Sequence, residues 1–275
     1  MQLVSILAKL GSESLLSLYP IFVKKIGISS TLQLWTRLIT YVGIASLFAN
    51  WQFIKSNITS LDSITLALVN LSHIIFSYEG FRNLDSGVSF AIFNSYPIMI
   101  LLIAGATGIS KHIWHNSYLL VLLGLALFTY GQDTESGSIY GTIMILLAAL
   151  TEAIIYFMIR RIPTDNHWNH VFIAYFLGAL ATSAYVFYND GESGNIGDIR
   201  VLASIIINGI IGSVGYFLRF FASFRLSPEV YAPLSYFGVV MSYIYGILFN
   251  NEELSISKVL GTISILGSNY YAPKI

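Results

Sequence analysis

Two glutamates carry most of the chemical interest in a chain that has little charge. Glu13 sits in Leu10-Gly11-Ser12-Glu13-Ser14-Leu15-Leu16, and Glu152 sits in Ala149-Leu150-Thr151-Glu152-Ala153-Ile154-Ile155. Each follows a hydroxyl residue midway along an apolar run, and the two runs end in the basic pairs Lys24-Lys25 and Arg160-Arg161. A charge near the centre of a bilayer costs about 2.5–3.5 kcal/mol on insertion scales, so such a residue has a partner or a task. Two carboxylates facing one dry space repel, and burial disfavours ionising both. One is expected to hold a proton until a cation replaces it, which suits exchange of protons for an amine. The structural alternative is neutralisation. Lys9 lies one helical turn before Glu13, and Arg37, Arg219 or His73 could reach either acid from another helix.

Further polar residues fall at helical spacing. Asn70, His73 and Ser77 form one polar face, which either lines a cavity or holds structural hydrogen bonds. Asn208, Gly212, Gly215 and Arg219 form another, and its glycines, with Gly209, suit close helix packing. Arg219 either snorkels to the membrane surface or turns inward to a carboxylate or an anionic substrate. Asn94, Tyr96, Tyr236 and Tyr243 are candidates to line a cavity, because aromatic faces near carboxylates suit a cation. Pro97 and Pro233 interrupt apolar runs and free backbone carbonyls. His112 with His115, and His167 with His170, are placed in loops without acidic partners at helical spacing, so no metal is expected. No Gly-rich loop ending in Gly-Lys-Ser/Thr is present, which excludes ATP hydrolysis by a P-loop. No catalytic residue and no cofactor are expected.

Positioning these residues falls to membrane-spanning helices. The chain has 275 residues, 55% hydrophobic and only 10% charged, with a mean hydropathy of +0.71. Ordinary globular domains carry about 25% charged residues. Fourteen basic and 14 acidic residues balance, so nothing points to nucleic acid. There is no cysteine, which excludes disulfides and thiol chemistry. A span needs about 20 apolar residues. Ten are expected, over 3–23, 31–51, 61–81, 87–109, 114–131, 138–159, 169–188, 200–222, 229–249 and 255–272. The first run lacks a basic leader and a cleavage site, so it reads as a span and not a removed signal. The runs do not alternate apolar and polar residues, which argues against a barrel. Lys55, Lys111, Arg160, Arg161, Arg225 and Lys274 collect on the side of both termini, which the positive-inside rule places in the cytosol.

The recurrence of the hydroxyl-glutamate pair 139 positions apart indicates an internal repeat. Spans four and nine also align: Leu84 meets Leu226, Ser86 meets Pro228, and Val88 meets Val230. Each half, 1–136 and 137–275, holds five spans. Halves with an odd span count enter the membrane with opposite orientation, giving an inverted repeat with a pseudo-two-fold axis in the bilayer plane. The fold class expected is an all-α membrane protein of ten helices in two inverted five-helix repeats.

The segment Leu226-Ser227-Pro228-Glu229-Val230-Tyr231-Ala232-Pro233-Leu234-Ser235-Tyr236, then Phe249-Asn250-Asn251-Glu252-Glu253-Leu254-Ser255 and Leu260-Gly261, resembles the repeat ending of the EamA-like branch of the drug/metabolite transporter superfamily. Leu84-Asp85-Ser86-Gly87-Val88 and Tyr96-Pro97 carry the same pattern in the first half, and Arg37 sits where that family often has an arginine in its second span. Asn250-Asn251 replaces the usual glycine before the acid, and Lys111 stands where the first half's acid belongs. Glu13 also resembles the proton-binding glutamate of small multidrug resistance transporters. The resemblance implies ten helices, a central cavity and alternating access. The expectation is a secondary transporter of a small organic solute, amine-bearing or cationic, coupled to protons through Glu13 and Glu152. The alternatives are a carrier of amino acids or anionic metabolites using Arg37 or Arg219, and an intramembrane transferase. The partners expected are a small-molecule substrate and the lipid bilayer of a plasma (inner) membrane, with a homodimer as a compatible assembly.

Overall fold

The computed structural model describes residues 2–19, 28–84, 92–109, 116–129, 138–188, 198–250 and 255–271. Among them the regular structure is helical, with no strand. In chain order the helices are α1 (Gln2–Leu16), α2 (Ser30–Phe48), α3 (Trp51–Asn57), α4 (Leu61–Asn83), α5 (Tyr96–Ala106), α6 (Asn116–Thr129), α7 (Ile139–Arg161), α8 (His167–Tyr188), α9 (Ile199–Arg225), α10 (Pro228–Ser235), α11 (Phe237–Asn250) and α12 (Ile256–Tyr271).

Helix starts follow short polar side chains that accept hydrogen bonds from otherwise unpaired first-turn amides. Ser60 caps α4 through the Ser63 amide, Ser138 caps α7 through Gly141, and Asp198 caps α9 through Arg200. The end of α9 has an equally local cause. Leu226 is extended, and Pro228 then opens α10 from its first turn, where a missing N–H costs nothing. Pro233 lies inside α10, and the helix breaks at Tyr236 before α11 begins.

Five helical stretches are long and apolar enough to cross a bilayer: α4, α7, α8, α9, and α10 with α11. A sixth is added if α2 and α3 count as one span, although they meet at 117°. That bend corrects the expected loop at Lys55-Ser56-Asn57, which is the last turn of α3. Asn50 initiates that separate helix by accepting from the Gln52 and Phe53 amides. The remaining helices, α1, α5, α6 and α12, have 15, 11, 14 and 16 residues. The expected breaks at Lys24-Lys25, Lys111-His112, Gln132 to Ser136, Asn189 to Gly197 and Asn251 to Glu253 lie outside the described residues, as do His115 and Asp85 to Val88.

Polarity is distributed as a membrane demands. Leu3, Leu47, Leu68, Leu102, Ile143, Ile210 and Ile263 face outward, while Lys9, Glu13, His73, Glu152 and Arg219 are buried. Such a chain has its apolar groups in lipid and its charges within the bundle. α4 packs along α7, α1 along α9, α2 along α8, α6 along α12 and α5 along α10. α9 also packs along α2, and the glycine face of α9 permits that approach. A Cβ on Gly212 would lie 1.8 Å from Tyr41 Oη, and one on Gly209 would lie 2.6 Å from a carbon of Thr40.

Candidate functional site

Five buried side chains from four helices form one ionic cluster. Glu13 Oε1 of α1 lies 2.5 Å from Lys9 Nζ on the same helix and 3.0 Å from Arg219 Nη2 of α9. The other terminal nitrogen of Arg219, Nη1, lies 2.6 Å from Glu152 Oε1 of α7. His73 of α4 brings Nε2 to 3.4 Å from Glu152 Oε2. Tyr96 of α5 donates to Glu13 Oε1 at 3.2 Å, and Lys9 Nζ also sits 3.7 Å above the Tyr231 ring. Lys9 and Arg219 match Glu13 and Glu152 charge for charge. The expected picture of two facing acids, one holding a proton for want of a cation, is therefore corrected: Arg219 lies between them and bonds both. Arg219 does not snorkel, for it is only 4% exposed. Its reach inward follows from the glycine face below it, which brings α9 against α1 and α2.

Beside this cluster opens a cavity enclosing about 700 Å³, its open mouth included. Its wall includes Glu13, Arg37, His73, Asn94, Tyr96 and Arg219 among the expected residues. Arg37 of α2 is buried and makes no ion pair among the described residues. Tyrosines surround it instead. Its guanidinium carbon lies 3.9 Å from the centre of the Tyr19 ring, 5.2 Å from Tyr41 and 6.0 Å from Tyr216, and its Nε donates to Tyr41 Oη. Tyr41 meets Tyr175 edge to face at 4.8 Å, and Tyr175 meets Tyr216 at 5.3 Å. This aromatic cage was not anticipated from sequence, although Tyr41 stands one turn after Arg37 and Tyr216 three residues before Arg219.

Other expected residues are placed differently. Glu152 adjoins the cavity through Arg219 and His73 and is not in its wall. Tyr236 and Tyr243 are also outside that wall. They pack with Val121, Val239, Val240 and Ile265, and Tyr243 Oη accepts from the Ser255 amide at 3.0 Å. The reason is their side of the span: Tyr236 and Tyr243 lie on the side that packs against α6 and α12. Asn70 donates to the Ala174 carbonyl at 2.9 Å and ties α4 to α8, so only His73 and Ser77 of that face reach the cavity. His167 and His170, expected in a loop, occupy the first turn of α8, where they are buried with Nδ1 atoms 3.1 Å apart.

Comparison with known proteins agrees with the resemblance read from the sequence. Residues 139–271 match the EamA-like transporter family. A protein of Bacillus subtilis (strain 168) named Uncharacterized transporter YcxC is 24% identical over 228 residues, covering 76% of this chain and 73% of its own. A solved crystal structure shares the fold with a TM-score of 0.75 at 14% identity, over 99% of this chain and 98% of the other. A polar core inside an apolar skin, together with these likenesses, identifies an integral multi-pass membrane protein whose residues 139–271 form an EamA-like transporter domain.

Proposed function

We propose that this protein is a secondary transporter that moves a small organic solute by alternating access, and that the solute presents an anionic group to Arg37. The observation that carries this reading is the charge of the cavity wall. Glu13 and Glu152 are already matched by Lys9 and Arg219, whereas Arg37 is a buried cation held only by tyrosines among the described residues. A buried charge is costly unless a counter-charge completes it, and a carboxylate on the solute supplies one with two parallel hydrogen bonds. Tyr19, Tyr41 and Tyr216 orient the guanidinium through cation–π contact. Amino acids and anionic metabolites fit this reading. The amine-bearing alternative rests on Glu13 in the cavity wall, but an acid already paired with two cations attracts a third weakly.

The moving parts in this proposal are two inverted halves, 1–136 and 137–275. Exchanging α1 with α7, α2 with α8, α4 with α9, α5 with α10 and α6 with α12 turns the α1–α9 packing into the α7–α4 packing. The same exchange turns α2–α9 into α8–α4, and α1–α10 into α7–α5. This correspondence supports the repeat, as does a family match that coincides with the second half. The reading keeps both termini cytosolic in a plasma membrane and allows a homodimer.

Purified protein in liposomes tests the solute class. Carboxylate-bearing compounds are expected to compete in counterflow where matched amines do not. Arg37→Gln is expected to weaken that competition about tenfold or more, the effect of roughly 1.4 kcal/mol. Competition by amines alone, or full activity in Arg37→Gln, overturns the reading.

A further inference from the structure

His73 and Glu152 meet as two acceptors. His73 Nδ1 lies 3.0 Å from the Ala148 carbonyl oxygen. A carbonyl only accepts, so Nδ1 carries hydrogen and the Nε2 of the neutral ring is a lone pair. The nearby hydroxyls do not reverse this. Ser77 Oγ donates to the His73 carbonyl at 2.7 Å, and Thr151 Oγ1 donates to the carbonyls of Leu147 and Ala148 at 2.8 and 2.9 Å. Nε2 lies 3.4 Å from Glu152 Oε2. Oε2 is buried and accepts no hydrogen bond among the described residues, while Oε1 of the same carboxylate takes Arg219. A deeply buried carboxylate oxygen left without a donor is costly, and the nearest ring nitrogen can donate only after gaining a proton.

We propose that a proton binds between His73 Nε2 and Glu152 Oε2 and is the ion coupled to solute movement. The coupling rests on the transport reading above; the proton site does not. The bound proton turns an acceptor pair into a charge-assisted hydrogen bond, which is about twice as strong as a neutral one. It also draws Glu152 toward His73 and away from Arg219, so Arg219 is freer to meet an anion in the cavity. Proton and anionic solute then favour each other's binding, and the coupling is reciprocal. The charged groups facing the pair are Arg219 from α9, Lys9 and Glu13 from α1, and Arg37 from α2. The phenols facing it are Tyr96 from α5, Tyr175 from α8, Tyr216 from α9 and Tyr231 from α10. With Glu152 itself, these charged groups sum to one positive charge, with Arg37 the surplus, so the carboxylate beside His73 is the local reason a proton stays.

Nitrogen NMR of the full chain with labelled histidine, in detergent and without solute, tests the site. His73→Asn identifies the His73 signals among the five histidines. The expected result is an Nδ1–H tautomer at alkaline pH whose Nε2 gains the proton on acidification. Glu152→Gln is expected to lower that midpoint by about 1–3 units, the effect of removing an adjacent opposite charge. Glu13→Gln removes an equal charge that does not touch His73 and is expected to move it less. An Nε2–H tautomer at alkaline pH in the unaltered protein overturns the proposal, and so does an equal shift from the two glutamine variants. Arg37→Gln is expected to leave an Nε2 titration in place. A failed solute test with an intact titration therefore removes the Arg37 reading alone, and the reverse removes the proton site alone.

Discussion

Arg219 joins two acids that would otherwise repel across the middle of the bundle. Removing one partner of a buried ion pair leaves an uncompensated charge, which costs about 3–5 kcal/mol. Arg219→Gln is expected to lower thermal stability in detergent by an amount of that order, and adding Glu152→Gln to it should restore part of the loss. Equal melting of the single variant and the unaltered protein would show that the bridge contributes nothing. The sequence displayed the two glutamates clearly, because acids are rare in apolar runs and these two recur in the same local context. It displayed Lys9 as a neutraliser, one turn from Glu13. It left Arg219 undecided, since an arginine three residues from the expected end of its own span can reach water or turn inward. What decides is the depth of α9 against α1 and α2, a property of packing that no local pattern encodes. The tyrosine cage around Arg37 was hidden for the same reason: Tyr19, Tyr175 and Tyr216 come from three other segments.

At the scale of elements, α9 is the helix on which the site depends. Its Gly212 lies so near Tyr41 that a methyl group would overlap the phenol oxygen. That phenol accepts from Arg37 and cannot yield without releasing it. Gly212→Ala is therefore expected to cost about 1–3 kcal/mol, as overpacking in a tight core does, and to weaken solute competition as Arg37→Gln does. The same change at Gly43, where a Cβ meets nothing within 4 Å, is the control and should leave both properties near those of the unaltered protein. Melting curves of the two variants decide it; equal behaviour removes the close-contact argument. The break after Pro233 was readable in advance, because a proline acts within one turn. The 117° turn between α2 and α3 was not, since Ala49-Asn50 reads as part of a continuous apolar run until α3 is seen packed against α8.

For the whole molecule, the ionic cluster bears on how two halves could move past each other. In the proposed division, Lys9 and Glu13 belong to the first half, and Arg219 and Glu152 to the second. Each half thus holds one matched pair of its own, at 2.5 and 2.6 Å, while the Arg219–Glu13 contact at 3.0 Å crosses between them. Rocking can break the crossing contact without leaving a carboxylate buried alone, which keeps the cost of the alternate state small. Such an arrangement favours two accessible states over one rigid pocket. The absence of cysteine makes this measurable, because Ser77→Cys places a single thiol in the cavity wall. Membrane-impermeant maleimide is expected to modify it from either side of oriented membranes, and a bound solute should change the two rates in opposite directions. Modification from one side only would indicate a closed-ended pocket, as in an enzyme. Equal slowing from both sides would indicate a pore that the solute plugs. Only opposed changes require the cavity to be exposed to one side at a time, and the two self-neutral halves are the physical reason to expect them.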